Sequence, residues 1–393
     1  MLRSYFFQHV AQTSPSPMAL EISHGLGNFL FDTSGKSYLD LISGISVSNI
    51  GHSNPLVIKA IKEQADKHLH TLVYGEHIQT VQVELAKSLS ETLPDKMDQV
   101  FFVNSGSEAI EAAMKLAKRI SGRFEIIACH NAYHGSSHGA LSLNGDEYYK
   151  RNFRPLLPGI RQIHYGSFID LELIDNKTAC VIIETVQGEA GIKVACSTYF
   201  QALRKRCIEV GALLILDEIQ TGFGRTGSFW GFEKLGIVPD VVVMAKGMGG
   251  GMPLGAIAAS QQMLSAFTEN PVLGHISTFG GHPVCCAASL ATLHFIQKEG
   301  LTEKVAEKEI LLINRLQHPQ ILEIRSAGLM MALELGSFDK VLKVISICLE
   351  QGLITDWFLH CNTALRIAPP LTISENEIEF ACHTILQALD TLD

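Results

Sequence analysis

Four compact apolar runs constrain this chain more than any other feature: FEIIA from Phe124, CVIIE from Cys180, LLILDE from Leu213 and DVVVMA from Asp240. Each is short, rich in Val, Ile or Leu, and separated from the next by helix or loop, so each reads as a strand apolar on both faces. A fifth, QVFFV from Gln99, leads into a helix beginning near Ser107. Strands of this kind alternating with helices imply an α/β fold, with a mostly parallel sheet covered by helices on both faces. In such sheets ligands bind beyond the carboxyl ends of the strands. What stands there is Asn104–Ser105–Gly106, Glu184, Asp217–Glu218 and Lys246.

The rest of the 393 residues divides around that sheet. At roughly 150 residues per domain, two or three domains are expected. The opening arm, with Tyr5, Phe6, Phe7 and two prolines, reads as irregular and laid over another surface. NFLFDTSGKSYLDLI reads as a hairpin turning at Ser34–Gly35, and Pro55–His68 and Ile78–Leu93 have helical periodicity. From about Gly281 the pattern is helical, with short apolar strands near Ala327–Leu335 and Ala364–Ala368. The expected division is therefore residues 1–48, an arm and hairpin packing with the small domain; 49–285, a large cofactor-binding domain; and 286–393, a small C-terminal α+β domain.

A 47% apolar share and 18% charged residues suit an ordinary globular core. A formal charge of −9 without basic runs offers no footprint for nucleic acid or a membrane surface. No apolar run approaches the length of a membrane span, and the N-terminus lacks a signal-peptide pattern. Nine cysteines without CxxC pairs or zinc-ligand spacing read as reduced thiols with no metal site. A cytoplasmic location is expected.

Lys246 is the most unusual residue in this pattern. An apolar strand runs straight into it, and Gly247, Gly249, Gly250, Gly251 and Gly255 follow. One reading is a lysine that caps its strand and snorkels to solvent. The other is a desolvated amine that loses its proton readily and attacks a carbonyl, with glycines leaving room for a flat ligand. Asp217 either pairs with a cation such as Arg225 or holds a ring nitrogen protonated. Pyridoxal phosphate needs both groups, a lysine for its aldehyde and an acid for its pyridinium. NSGSEAIEAAMKLAK from Asn104 is a capped amphipathic helix through Ser105 and Glu108. Its start also lies at the ligand end of a strand, where free amides and the helix dipole suit a phosphate. NAYHGSSHG from Asn131 offers His134 and, as a π-face for a pyridine ring, Tyr133.

A nucleotide hydrolase is the main rival, since LLILDE resembles a Walker B strand and SGKS at Ser34–Ser37 half of a Walker A loop. The loop fails on spacing, because Leu30 stands where its first glycine belongs, and no helix follows. No early strand–GxGxxG–helix unit supports a dinucleotide enzyme. A non-catalytic binding protein leaves the lysine and acid unexplained.

Over nearly its whole length the chain resembles the class III, fold type I pyridoxal-phosphate aminotransferases, most of all their acetylornithine and ornithine branch. The likeness rests on GHSNP, NSGSEA, AYHG, ETVQGEAG, LILDEIQTGFGRTG, AKGMGGGMPLGA, STFGGHP and LRIAPPLT. It implies Lys246 as the Schiff-base lysine carrying the cofactor, Asp217 at the pyridine nitrogen and Gln220 at the ring hydroxyl. It implies Ser105, Gly106 and Ser107 in the phosphate turn, Tyr133 stacked on the ring, and Glu184 among the cofactor contacts. Thr278 resembles a residue reaching the phosphate of a neighbouring subunit, which implies a homodimer with composite sites. Arg366 matches the arginine that grips a substrate carboxylate, and Glu189 the acid that covers it when an ω-amine is bound.

The implied reaction is a ping-pong transfer of the terminal amine from an ornithine-like or ω-amino donor to 2-oxoglutarate, acetylornithine or ornithine being favoured as donor. A diamine or ω-amino acid transaminase or an aminomutase of the same family is the alternative. Two departures stand out. Ser136 replaces an arginine that helps bind the distal carboxylate of ornithine-like substrates, and Thr185 replaces the usual proline after Glu184, a change expected to matter little.

Overall fold

The structure, a computed structural model, describes residues 1–392. The first element is a helix, Leu2–His9, none of whose residues is buried. The arm is thus helical at its start and not irregular throughout. Strands β1 (Ile22–Leu26), β2 (Phe29–Asp32) and β3 (Ser37–Asp40) form an antiparallel meander. The Asp32 carboxylate closes the β2–β3 turn, accepting from the amides of Ser34 (2.8 Å) and Lys36 (3.0 Å) and from the Ser34 hydroxyl (2.7 Å). The SGKS stretch is therefore a hairpin turn held by its own side chains, with strand and not helix after it, and carries no Walker A loop.

Seven strands form the main sheet: β4 (Gln99–Val103), β5 (Glu125–Cys129), β6 (Ile160–Ile163), β7 (Thr178–Glu184), β8 (Leu213–Asp217), β9 (Val241–Met244) and β10 (Gly255–Ala259). Their order is β4-β10-β9-β8-β7-β5-β6. Only β10 runs against its neighbours. Alternate residues of the central strands feed two cores. Ile126, Ile182, Ile215, Val241 and Val243 pack under the helix Gly106–Ser121. On the other face Ile127, Val181, Ile183, Leu214 and Val242 share a core with Tyr199, Phe200 and Leu203 of the helix Ser197–Val210. Both faces are dry, which is why these strands read as unbroken apolar runs.

The C-terminal part contains β11 (Glu323–Ser326), β12 (Met331–Glu334), β13 (Leu353–Ile354), β14 (Asp356–Phe358) and β15 (Cys361–Ile367). Four of these form an antiparallel sheet in the order β11-β12-β15-β14. The fifth, β13, leaves to pair in parallel with β3, so the N-terminal meander and the C-terminal region share a sheet. The helix Pro283–Lys298 runs through residue 285.

Arg225 joins these parts and does not pair with Asp217. It is fully buried, and its guanidinium donates to the Leu329 carbonyl (3.0 Å), the Pro369 carbonyl and the Asn49 side chain (2.6 Å). Burial without a bonded carboxylate pushes its pKa down to about 9. All nine cysteines are free.

The antiparallel strand β10 brings Gly255 against the loop before the helix Gly106–Ser121. A Cβ there would lie 2.6 Å from the Ser105 carbonyl carbon, a contact only backbone movement relieves. Gly255→Ala is therefore expected to destabilise the protein by about 1–3 kcal/mol. The denaturation midpoint checks this; an unchanged midpoint would mean that the strand and loop part freely.

Candidate active site

Parallel register sets the site. Glu184 at the end of β7 pairs with Asp217 at the end of β8, and Asp217 pairs with Val243 of β9. Lys246 follows three residues later, in a tight turn spanning Lys246–Gly249. Glu184, Asp217, Gln220, Tyr133 and Lys246 line one cavity of about 720 Å³ together with the Ser105–Gly106–Ser107 turn. That size suits a small-molecule or cofactor site. The acid and the amine face the same space, as the sequence pattern required.

Lys246 has a φ of 47°, a left-handed conformation rarely taken by a residue with a side chain. Such strain costs about 1–3 kcal/mol and persists only where surroundings impose it. The side chain opens onto the cavity and so is only half-buried by surface, yet protein encloses it deeply. That burial pushes its amine down to about 8, against the opposing pull of the Glu189 and Asp217 carboxylates.

Asp217 is 4% exposed. One oxygen lies 2.7 Å from Nδ1 of His134 and the other accepts the Ile219 amide at 2.9 Å. Burial disfavours a charge on His134, but Asp217 and Glu184 outweigh it and raise its pKa. Nε2 of His134 has no partner. Burial, reinforced by Asp217 beside it, pushes Glu184 up to about 7 even though His134 opposes the shift. Its oxygens accept the amides of Tyr133 (3.2 Å) and Gly188 (3.0 Å), so Glu184 ties the aromatic to the QGEAG loop.

At the other end of the cavity, Ser105 caps the helix Gly106–Ser121 by accepting the Glu108 amide at 3.2 Å. The amides of Gly106 and Ser107 precede the first intrahelical bond and point into an anion-attracting helix start. A Cβ on Gly106 would sit 2.8 Å from Ile219, which lines the same cavity. The Ser107 hydroxyl is already engaged, accepting the Ser137 amide (3.0 Å) and donating to its hydroxyl (2.8 Å).

Behind Gln220 lies a buried ion pair. Arg366 grips Glu189 with both terminal nitrogens, at 3.1 and 2.8 Å, and the Gln220 amide donates to the same carboxylate at 3.0 Å. Burial alone would raise the Glu189 carboxyl, but Arg366 holds it down at about 2. Thr278 does not line the cavity. It is exposed on a loop whose neighbour Ser277 accepts a bond from Asn104 at 2.7 Å.

Two residues carry more of the site than their sequence context shows. His134 stands in a quoted motif, but its bond to Asp217 appears only in three dimensions. Thr185, expected to matter little, donates its hydroxyl to the buried Glu218 carboxylate, a bond a proline cannot make. Thr221 and the amides of Gly231 and Phe232 complete that shell, with Glu218 still pushed up to about 7 by burial.

An aromatic wall, an apolar residue, a cluster of free amides, a carboxylate and a depressed amine together fit a phosphorylated pyridine aldehyde. The Aminotransferase class-III family profile matches residues 10–389, and the chain belongs to that family. It is a transaminase dependent on pyridoxal phosphate, acting on an amino donor and a keto acid. It is 38% identical over 370 residues to the acetylornithine aminotransferase of Methanopyrus kandleri, covering 93% of each chain. To that of Archaeoglobus fulgidus it is 38% identical over 383 residues, covering 96% of this chain and 98% of the other. Among solved structures, a Bacillus anthracis aminotransferase superposes with a TM-score of 0.93 at 29% identity, covering 100% of this chain and 98% of that one. The ornithine aminotransferase of Toxoplasma gondii gives 0.90 at 29% identity, covering 98% and 94%. Among the described residues no helix is long and apolar enough to cross a membrane.

A lysine lowered to about 8 is mostly protonated below that pH and mostly neutral above it, and only the neutral amine attacks an aldehyde. Covalent uptake of pyridoxal phosphate by cofactor-free protein should therefore rise as pH climbs through about 8. A rise delayed to the range of an ordinary lysine would show that burial does not tune this amine.

Proposed function

We propose that this enzyme transfers the terminal amine of an ornithine-like or ω-amino donor to 2-oxoglutarate in two half-reactions sharing one site. The observation that carries it is Glu189 and Arg366 locked together beside a cavity whose only lysine is Lys246. In this reading Lys246 holds the cofactor covalently, with Ser105, Gly106 and Ser107 at its phosphate, Tyr133 on one ring face and Ile219 on the other. Asp217 sits at the ring nitrogen, steadied by His134. Gln220 reaches the ring hydroxyl, and Glu184 keeps Tyr133 in place.

When bound, the cofactor supplies an aldehyde that takes up the amine and a cationic ring that withdraws electrons from the reacting carbon. The protein's part is placement and proton transfer. With its amine free, Lys246 would serve as a neutral base toward the carbon bearing the donor amine. It would take the proton from that carbon and, as an acid, deliver it to the former aldehyde carbon. A pKa of about 8 suits both roles near neutral pH. Asp217 keeps the ring charged throughout. Arg366 holds a carboxylate of glutamate or 2-oxoglutarate in bidentate fashion. With a donor lacking that carboxylate, Glu189 keeps Arg366 covered.

Acetylornithine or ornithine is the favoured donor, supported by the named relatives. Ser136, whose hydroxyl lies 3.1 Å from that of Tyr133, brings no positive charge to the cavity and supports the second reading, a diamine or other ω-amino donor or an aminomutase. The same proposal includes a cytoplasmic homodimer in which Thr278 serves the partner's phosphate, supported by its exposure next to Ser277, which accepts from the cavity-lining Asn104. It also keeps the division into 1–48, 49–285 and 286–393, supported by the sheet that β13 shares with β3.

Lys246→Ala should abolish turnover together with the visible absorbance of lysine-bound cofactor; a variant retaining either overturns the assignment. Arg366→Ala should slow the half-reaction with glutamate by about tenfold to a hundredfold, the range for a lost charged hydrogen bond. A carboxylate-free amine should be far less affected, and equal losses would refute the carboxylate role. A panel of amines tested against 2-oxoglutarate identifies the donor.

A further inference from the structure

Four consecutive residues, Trp357–Phe358–Leu359–His360, surround the Glu189–Arg366 pair, and each contributes a different contact. The Trp357 carbonyl accepts from Arg366 at 3.1 Å, and the guanidinium carbon lies 4.3 Å from the centre of the Phe358 ring. Next, the Leu359 amide donates to the Glu189 carboxylate at 3.2 Å, and the His360 amide to the Glu189 carbonyl at 3.0 Å. The turn thus holds both partners of the pair by backbone bonds and a cation–π contact.

The turn is itself anchored. The Tyr149 hydroxyl donates to the Leu359 carbonyl at 2.8 Å. The His360 side chain has no exposed surface and meets the Tyr149 ring edge to face, at 5.1 Å and 82°. Neither of its ring nitrogens makes a hydrogen bond, and Asp146 comes no nearer than 3.8 Å. A buried imidazole with neither nitrogen hydrogen-bonded, and only a 3.8 Å contact to Asp146, contributes chiefly its shape. Its neighbours Asp146 and Tyr149 belong to the segment following the Tyr133 loop, across from the small sheet.

We propose that His360 and Tyr149 are positioning residues that set how readily Glu189 leaves Arg366, and thereby fix the enzyme's preference between carboxylate-bearing and carboxylate-free substrates. This rests on the reading of Arg366 as the carboxylate receptor. Glutamate binds only the state in which the pair is open, so its apparent affinity is reduced by the fraction of enzyme in that state. Opening takes the Glu189 carboxylate away from the Leu359 amide as well as from Arg366. A firmly anchored turn therefore favours the closed state, which an amine without the carboxylate uses. Loosening the anchor raises the open fraction.

The test measures KM for glutamate and for a carboxylate-free amine in Tyr149→Phe, which deletes one hydroxyl, in His360→Ala, and in His360→Phe. Tyr149→Phe and His360→Ala should lower KM for glutamate by about threefold to tenfold, the effect of one hydrogen bond's worth of stabilisation, while KM for the amine does not fall. His360→Phe, which keeps the wedge and removes two nitrogens that make no hydrogen bond, should restore the native ratio. Should His360→Ala fail to fold, Tyr149→Phe decides. Parallel changes in both KM values, or no change in either, overturn the proposal while Arg366→Ala still separates the two substrates. If His360→Phe behaves as His360→Ala does, the shape argument is wrong. Equal losses in Arg366→Ala overturn the receptor reading and this inference with it.

Discussion

A parallel sheet has one end at which its strands all stop pointing the same way, and the chemistry of this protein depends on that constraint. Register places Glu184 beside Asp217, and Asp217 beside Val243, three residues before Lys246. No long-range search is needed to bring acid and amine to one cavity; ladder hydrogen bonds do it. The one antiparallel strand, β10, is inserted between β4 and β9. It returns the chain from the glycines after Lys246 to the start of the helix Gly106–Ser121, where Gly255 lies against Ser105. Lys246 and the helix start thus become opposite walls of the same space.

Gathering charges in a dry place forces a specific balance among them. Each of Glu184, Asp217, Glu189, His134, Lys246 and Arg366 is costly to bury alone. The shifts of Glu184, Lys246 and Glu189 show how the cost is distributed. Glu184 goes up to about 7 and Lys246 down to about 8, so both groups titrate near neutrality. Glu189, gripped by a guanidinium, goes down to about 2. Its ionised form is secure above the ordinary carboxyl range, and the stability it contributes is lost only as pH falls toward that value. Glu184 and Lys246 are therefore poised to change charge near neutrality, while Glu189 is not.

Much of this was visible in the chain. The strands β5, β7, β8 and β9 declare themselves because both faces are buried, β4 by its apolar QVFFV run, and a charged residue at the end of such a run is a chemical anomaly that draws attention. By contrast β6, with Arg161 and Gln162 in a four-residue edge strand, lacks the apolar signal. So does β10, made of glycine, alanine and one isoleucine. The helix Leu2–His9 buries nothing, and hence has no periodic stripe to read. At the site, Lys246 and Asp217 follow from strand ends, whereas the contact between Glu189 and Arg366 joins residues 177 apart in sequence and belongs to tertiary structure alone. Thr185 looked incidental for the same reason, since the carboxylate it satisfies is brought to it by the neighbouring strand.

That distant pair also explains why the small sheet belongs to the active site at all. Glu189 hangs from the loop after β7, whose Gly188 amide is held by Glu184. Arg366 rises from β15, and the next anchor of the same loop, the Gly191 carbonyl, is held by Arg325 of β11 at 2.6 Å. The loop is therefore bolted to the large sheet at one end and to the small sheet at the other, with the ion pair between. Separating the two charges without a replacement would strand both in a poorly solvated place, which is why breaking a buried pair is so much more damaging than never having built it. If Arg366 is the carboxylate receptor proposed above, a substrate carboxylate supplies such a replacement for Glu189. The pair can consequently be stable at rest and yet yield to the right ligand, provided that the turn holding it yields at the same time.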